Sequence, residues 1–400
     1  MGFIVVKTKK TFQTVWPPSI IFGAGTVTKV PEQAKNLGIS KAFVVTDKGL
    51  VETEGFKSLI ALLEAAGITP VVWSEVKADP PDTSIVESTA AYKKAGCDGI
   101  IGVGGGSSMD TAKGTGILAM NGGDINDYSV INPNKPPAPI TNMPPLITVP
   151  TTSGTGSEIT CTGVITDTTK DQKFFFLNPM VFPKVAIVDP ELTISLPPRQ
   201  TAATGMDALT HAVEAYISNL ESPISDPLAI YATELIAQNL RRAVFDGSDI
   251  EARTNMALAS LMAGLAMLNA IPNFGHAIGH TLGSKYHLPH GIGCIITYPV
   301  GLEYVRPARQ EKMAKLAEAM GINTQNMTEA EAAKAFIDEI VQLMSDVGMP
   351  TLKAATQMDD SKIGPIAEMA VTEGPNAFCP RPFTVEVWTE LLKKALAFEY

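Results

Sequence analysis

Apolar residues follow two different rhythms in the two halves of the chain. In the first half, short β-branched runs alternate with stretches of helical spacing; the runs are KAFVVTD from Lys41, TPVVWSE from Thr69, DGIIGVGGGS from Asp98 and PLITVPTTS from Pro145. After the proline-marked segment 189–200, helical spacing dominates, as in ATELIAQNLRRAV and ALASLMAGLAML. Strands that alternate with helices are typical of a parallel sheet. The pattern predicts an α/β domain over residues 1–190 and an all-α domain over residues 191–400, with a ligand cleft between them.

A glycine cluster follows one of the predicted strands. The strand DGIIGVG runs into Gly104, Gly105, Gly106 and Ser107, and a helical stretch, SSMDTAKGTGILAM, comes next. Glycines let the backbone approach a pyrophosphate closely, and the free amides of a helix N-terminus supply a positive field. The cluster is not GxGxxG and follows a later strand, so we expect a Rossmann-like fold rather than the common form. A tight turn without a ligand is the alternative.

Two further strand ends carry polar side chains suited to a dinucleotide. Asp47 ends the strand KAFVVT, where a carboxylate could accept both ribose hydroxyls and repel a 2′-phosphate, which favours NAD over NADP. A turn cap before Lys48 and Gly49 is the alternative role. The loop PTTSGTGSEIT, residues 150–160, offers four hydroxyl donors: Thr151, Thr152, Thr155 and Thr160.

The histidines are clustered in the helical half. All five lie between residues 211 and 290. Asp207 and His211 are four apart on a helical run and therefore share one face. His276 and His280 repeat this spacing, and His290 follows Pro289 in a turn that can bring it back over that face. Three imidazoles and one carboxylate suit Fe(II), with Zn(II) or another divalent ion as alternatives; the predicted ligands are Asp207, His211, His276 and His290.

Two histidines remain outside this ligand set. His280 lies one helical turn from His276 and could transfer a proton, because an imidazole titrates near neutral pH. A supporting contact to the ligand histidines is its alternative role. His287 has no partner at helical spacing and is interpreted as structural or exposed.

Charge and cysteine content exclude several classes of partner. The formal net charge is −10 and the pI about 5.1, so the overall field repels nucleic acid and anionic membranes. The first residues, MGFIVVKTKKTFQTVW, lack the long apolar middle of a signal peptide. The four cysteines are scattered without a CxxC pair, which argues against a disulfide framework. These features predict a cytoplasmic protein with no nucleic-acid or membrane partner.

Four segments together resemble the iron-dependent, or group III, alcohol dehydrogenases over nearly the whole chain. They are GGGSSMDTAK (104–113), PTTSGTGSE (150–158), GMDALTHAVEAY (205–216) and HAIGHTLGSKYHLPHG (276–291). The resemblance implies a dinucleotide-binding α/β domain, a helical metal-binding domain, and nicotinamide meeting the metal in the cleft. It also implies a homodimer or a higher homo-oligomer.

The resemblance also assigns individual residues. It selects the same four metal ligands as the spacing argument, and it places the pyrophosphate on Gly105, Gly106 and Ser107 and the ribose on Asp47. The further cofactor residues are Asp110, Thr151, Thr152, Thr155, Thr160 and Lys173. The expected substrate pocket contains Thr162, Met267, Asn273 and Phe274.

The implied reaction is hydride transfer between NAD(H) and a short-chain alcohol or aldehyde, with the metal polarising the substrate oxygen. Lactaldehyde, propanediol, a simple alkanol, succinate semialdehyde and sulfoacetaldehyde all remain open as substrates. One alternative is a glycerol-dehydrogenase-like zinc polyol enzyme. Another is a lyase like dehydroquinate synthase, which needs several cations for a phosphorylated acidic substrate, and the metal segments supply none.

Overall fold

A computed structural model describes residues 14–17, 19–131, 135–170 and 172–400. Within them, the first half of the chain forms a six-stranded parallel sheet. Its strands are β1 Ile20–Phe22, β2 Lys41–Val45, β3 Thr69–Trp73, β4 Gly99–Gly104, β5 Leu146–Pro150 and β8 Val185–Val188. They lie in the sheet in the order β1-β8-β5-β4-β2-β3. All four strands predicted from apolar runs are present. Because the strands are parallel, their carboxyl ends meet at one edge, where ligands bind in such sheets.

Helices cover both faces of this sheet. They are α1 Val30–Asn36, α2 Glu54–Ala65, α3 Asp82–Ala95 and α4 Gly106–Asn121. Every residue of β4 and β5 is buried, as expected for central strands that have helices on both faces. One core packs α1 and α2 against the sheet, and the opposite core contains Phe43, Tyr92 and Ala112. The predicted α/β class of the first half is confirmed.

A two-stranded hairpin, which sequence reasoning did not predict, stands apart from the main sheet. It consists of β6 Thr162–Asp167 and β7 Gln172–Leu177, paired antiparallel with Thr162 opposite Leu177. Phe174 and Phe176 pack into a core with Ile85 and Ile117, which anchors the hairpin on α3 and α4. The other face of the hairpin is left to line the cleft.

The second half of the chain is helical, as predicted. Its helices are α5 Pro198–Ile217, α6 Ser225–Phe245, α7 Ile250–Asn269, α8 Phe274–Tyr286, α9 His290–Ile295, α10 Tyr298–Ala319, α11 Glu329–Asp346, α12 Leu352–Thr356, α13 Asp360–Ala370 and α14 Val385–Leu396. They share one large apolar core. Side-chain caps fix several starts: Asp249 accepts from Ala252 N at the start of α7, and Asn273 accepts from Phe274 N at the start of α8.

The two halves pack directly on each other. Ala186 and Val188 of β8 share a buried cluster with Ala257, Leu261 and Leu265 of α7. The boundary near residue 190 stays a prediction.

The expectation that no signal peptide begins the chain concerns residues 1–16, of which 1–13 lie outside the described part. Among the described residues no single helix could span a membrane; only α7 and α8 taken together, bent by 104°, have the required length and apolarity.

Candidate active site

Three helices bring the four predicted metal ligands together. Asp207 and His211 lie one turn apart on α5, His276 lies on the first turn of α8, and His290 is the first residue of α9. One ligand atom from each side chain lies within 4.8 Å of all the others. Oδ1 of Asp207 is 3.9 Å from Nε2 of His276 and 3.7 Å from Nε2 of His290. These separations are longer than hydrogen bonds and leave room for an ion among the four atoms.

Two polar atoms at the centre of this cluster lack hydrogen-bond partners. Oδ1 of Asp207 and Nε2 of His276 are buried, and neither has a hydrogen-bond partner among the described residues. A buried polar atom without a partner costs about 1–3 kcal/mol. A divalent cation at the centre would satisfy both atoms and would also offset the charge of the buried Asp207 carboxylate. The residues present therefore fit a divalent metal.

Hydrogen bonds orient two of the imidazoles toward the centre. Nδ1 of His276 donates to Oε2 of Glu214 over 2.6 Å, and Nδ1 of His211 donates to the carbonyl of Gly154 over 3.2 Å. Glu214 itself accepts from the amides of Asn273 and Gly275. In both rings Nε2 is left with its lone pair for a metal, as in many metal sites where a second contact fixes the tautomer.

The electrostatics of the cluster favour neutral imidazoles at two positions. Burial lowers the pKa of His211 to about 4. Burial, reinforced by the charge of Lys173, also lowers the pKa of His290 well below its usual value. For His276 burial acts in the same direction, but the hydrogen bond and charge of Glu214 outweigh it and raise the pKa. Neutral imidazole is the form that binds a metal.

The predicted phosphate turn lies at the carboxyl end of β4. Gly104 has φ +140°, and a Cβ there would lie 2.5 Å from Oγ of Ser108, so only glycine fits. Gly105 caps α4 without a side chain, which leaves the helix N-terminus open. A Cβ on Gly105 would lie 3.5 Å from Thr152, and one on Gly106 would lie 3.0 Å from Thr155. The glycine turn, residues 104–106, and the threonine loop, residues 150–160, thus lie directly against each other.

A buried lysine that sequence reasoning missed holds the threonine loop on α4. Nζ of Lys113 is fully buried and donates to the carbonyl of Ser157 and to that of Thr162, each over 2.7 Å, and to Oγ1 of Thr160 over 3.3 Å. Asp110, three residues earlier on α4, accepts from Oγ of Ser157 and from the amide of Val164. The two side chains therefore tie α4 to the loop and to β6.

Asp47 shapes a turn at the end of β2. Its Oδ1 accepts from the amides of Gly49 and Leu50, at 2.9 and 3.0 Å, so the turn-cap role is present. A cavity of about 470 Å³ lies at the same sheet edge, with Leu50, Val103 and Thr151 in its wall. Asp47 thus holds the turn that carries Leu50, one of the residues in the wall of this cavity.

A second cavity, of about 320 Å³, joins the glycine turn to the metal cluster. Gly106, Ser107, Asp110 and Thr155 line one end, and the four predicted ligands and His280 line the other. The apolar part of its wall consists of Pro80, Val164, Phe175, Leu177, Met267, Leu268, Ile271, Pro272 and Pro375. This is the central cavity of the cleft.

Two of the four residues expected in the substrate pocket lie elsewhere. Thr162 and Met267 line the central cavity. Asn273 is fully buried behind the metal cluster, where Nδ2 donates to the carbonyl of Glu214. Phe274 is buried in the helical core and stacks on Tyr298 at 5.1 Å. α8 begins at Phe274, and its start directs both side chains into the protein rather than into the central cavity.

Lys173 and His280 each have a carboxylate partner that sequence reasoning missed. Nζ of the buried Lys173 lies 2.6 Å from Oδ1 of Asp79, and both residues line the central cavity. Nδ1 of His280 lies 3.1 Å from Oε2 of Glu373. The partners are 94 and 93 residues away in sequence, so no local spacing signals them. Glu214, the partner of His276, lies three residues after His211 on the same helical face, a spacing that is visible in the sequence.

His287 is exposed and ends α8 with φ +52°, outside the cluster. This position agrees with the sequence-based interpretation of His287 as structural or exposed.

Comparison with known proteins identifies the family. The model of the iron-containing alcohol dehydrogenase family matches residues 17–190, and that of the family's C-terminal domain matches residues 201–396. The 1,3-propanediol dehydrogenase of Citrobacter freundii is 40% identical over 389 residues, 96% of this chain and 99% of that protein. The NAD-dependent methanol dehydrogenase of Bacillus methanolicus is 37% identical, covering 95% and 98%.

A solved structure agrees with this match. The crystal structure of a 1,3-propanediol oxidoreductase superposes with a TM-score of 0.93 at 38% identity, covering 96% of this chain and 100% of that one. These comparisons favour neither the glycerol-dehydrogenase-like nor the dehydroquinate-synthase-like alternative. With the ligand cluster, the glycine turn and the joining cavity, they lead to one conclusion: this chain belongs to the iron-containing alcohol dehydrogenase family.

Proposed function

We propose that this protein is an iron-dependent, NAD(H)-linked oxidoreductase that interconverts small, uncharged alcohols and aldehydes. One observation carries the proposal: a single cavity of about 320 Å³ has a three-histidine, one-carboxylate cluster at one end and a glycine turn at a helix N-terminus at the other. A dinucleotide bound along this cavity would bring its reactive ring toward the cluster. The names of the relatives, which include an NAD-dependent methanol dehydrogenase, support the same reaction.

The side chains of the cluster have distinct tasks in this proposal. Asp207, His211, His276 and His290 would hold the metal, and Glu214 keeps His276 in the tautomer that binds it. When bound, a divalent metal polarises the substrate oxygen, and nicotinamide gives or takes the hydride. The apolar wall of the central cavity keeps bulk water from the reacting carbon.

The wall of the cavity also favours an uncharged substrate. Among the described residues that line it, Lys173 is the only lysine or arginine, and the carboxylate of Asp79 neutralises it at 2.6 Å. A carboxylate or sulfonate on the substrate would therefore find no unpaired cationic side chain in this wall. Leu177, Met267 and Ile271 instead offer contact to a short alkyl chain.

The test is an assay of nicotinamide absorbance with protein stripped of metal and then reloaded with Fe(II) or Zn(II). The panel contains ethanol, 1-butanol, 1,3-propanediol and lactaldehyde, with succinate semialdehyde and sulfoacetaldehyde as anionic counterparts. We expect turnover with NAD(H) and the uncharged compounds, loss of turnover on stripping, and recovery with Fe(II). Full activity without any metal would overturn the metal assignment, and a preference for the anionic aldehydes would overturn the substrate class.

We further infer that the protein works as a homodimer or higher homo-oligomer in the cytoplasm. The family resemblance supports the oligomer. Four free, buried cysteines among the described residues support a reducing compartment. Light scattering of the purified protein tests the first inference, and localisation of a tagged chain in cells tests the second.

A further inference from the structure

His280 is the one histidine of the central cavity that does not belong to the predicted ligand set. It lies one turn beyond His276 on α8 and is only 8% exposed. Its ring centre is 5.6 Å from that of His290, so it borders the metal cluster. Nδ1 is 3.1 Å from Oε2 of Glu373, which leaves Nε2 as the only ring nitrogen free for a substrate.

The segment that carries Glu373 is held firmly beside the cavity. Glu373 follows α13 and precedes a short 3-10 helix, Gly374–Phe378. Its amide donates to the carbonyl of Ala370, and its carbonyl accepts from the amide of Asn376. Its side chain is 8% exposed, and Pro375, two residues later, lines the same cavity as His280. Fixed backbone and burial therefore aim this carboxylate at one imidazole.

We propose that Glu373 is a positioning residue for proton transfer: it holds His280 in the tautomer with the proton on Nδ1, so that Nε2 exchanges the hydroxyl proton of the substrate. The proposal rests on the proposed function. A carboxylate can only accept, so Nδ1 must donate and Nε2 keeps its lone pair. In alcohol oxidation the O–H bond breaks and an Nε2–H bond forms, while the hydride leaves carbon for nicotinamide. The proton returns from Nε2 in the opposite direction.

A second carboxylate in the same site supports this assignment. Glu214 accepts from Nδ1 of His276 and turns the Nε2 of that ring toward the metal cluster. Glu373 accepts from Nδ1 of His280 in the same way, but this ring lines the cavity outside the ligand set. The same pairing thus orients one imidazole for a metal and the other for a proton.

The first experiment reads the tautomer directly. In zinc-loaded protein with ¹⁵N-labelled histidine, the His280 signals are those that disappear in His280→Ala. We expect the wild-type ring to carry its proton on Nδ1, and Glu373→Met to lose the preference for this tautomer, because methionine offers Nδ1–H no strong acceptor. Nε2–H in the wild type, or the same tautomer in both proteins, would overturn the proposal. This readout needs no turnover, so it remains decisive if the proposed reaction is wrong.

The second experiment is a double-mutant cycle on kcat. Glu373→Gln should lower kcat roughly a hundredfold, with a much smaller change in KM and unchanged iron content. In the His280→Ala background the same substitution should have no further effect, because Glu373 acts through that ring. Glu373→Asp should recover part of the loss, and Glu368→Gln, an exposed carboxylate on α13, should change nothing. If the fold-losses in kcat of the two single variants multiply in the double variant, the proposal is overturned and Glu373 has a purely structural role.

Discussion

The two sides of the cleft recognise their ligands by different means. The sheet side offers backbone and hydroxyl groups: the glycine turn after β4, the open N-terminus of α4 and the threonine loop. The helix side offers side chains from α5, α8 and α9, and hydrogen bonds orient two of them, His211 and His276. Ligand binding to backbone groups depends on free space, so only substitutions that add atoms near the backbone should weaken it. Metal binding to side chains depends on their ligand atoms, so the loss of one ligand should disable the site.

The two sides also bury carboxylates differently. On the helix side Asp207 and Glu214 contact imidazoles that surround the predicted cation position. On the sheet side Glu158 is 3% exposed, and burial raises its pKa to about 7, although the charge of Lys113 opposes this. The contrast indicates that the carboxylates of the helix side surround a position for a positive charge. On the sheet side, the buried Glu158 lowers the free energy of unfolding once its carboxyl group has to ionise.

The largest effect should come from removing one predicted ligand. His290→Asn should lower kcat/KM roughly a thousandfold, about 4 kcal/mol of transition-state stabilisation, and lower the bound iron. The matched control is His287→Asn, three residues earlier, because this side chain is exposed and asparagine tolerates its φ of +52°. Activity assays and elemental analysis of both variants provide the measurement. Equal activity in the two variants would contradict the assignment of His290 as a metal ligand, and with it the expectation that the helix side fails when one ligand is lost.

The helix side was easier to predict from sequence than the details of the sheet side. Asp207, His211 and His276 stand out because rare ligand types recur at helical spacing, and a helix converts that spacing into a shared face. The strands and glycine turn were predicted for a similar reason. Partners that meet only through the tertiary fold, such as Asp79 with Lys173, leave no local pattern.

Features that the sequence did not reveal also have a physical cause. The family resemblance placed Asn273 and Phe274 in the substrate pocket, but α8 starts at Phe274 and directs their side chains inward. The hairpin of β6 and β7 was missed because it pairs outside the main sheet. Lys113 received no role from the sequence, because its buried amine meets the carbonyl of Ser157 in the threonine loop only through the tertiary fold.

The second effect concerns stability and pH on the sheet side. Because the folded pKa of Glu158 is raised to about 7, the folded state binds this proton more tightly than the unfolded chain does. Wild-type stability should therefore fall as pH rises from about 4.5 to 7, by about 3 kcal/mol from this group. Glu158→Gln has no such group to titrate, so its stability relative to the wild type should increase as pH rises over the same range. Urea unfolding at several pH values measures the difference, and Glu368→Gln should run parallel to the wild type throughout.

A third effect tests whether the glycine turn holds a ligand by its backbone. Gly105→Ala places a methyl 3.5 Å from Thr152, an ordinary contact, at a φ of −79° that alanine adopts freely. We expect unchanged thermal stability but a rise of about tenfold or more in KM for NAD(H), roughly 1.4 kcal/mol, with metal content unaffected. Gly364→Ala, a helix glycine with open space around it, is the control. Unchanged KM in Gly105→Ala would mean that no phosphate approaches this turn.

The smallest effect should come from Asp47, where the sheet side uses a side chain after all. Asp47→Ser keeps a hydroxyl that can accept from Gly49 and Leu50, so the turn survives while the charge is lost. A lost ribose hydrogen bond costs about 0.5–1.5 kcal/mol, so KM for NAD should rise about threefold to tenfold, while KM for NADP should fall because the repulsion of its 2′-phosphate is gone. The ratio of kcat/KM for the two dinucleotides measures both changes, and Asp124→Ser, an exposed cap elsewhere, should leave it unaltered. An unchanged ratio in Asp47→Ser would reduce this carboxylate to its turn-cap role and make the sheet side a site of backbone and hydroxyl groups alone.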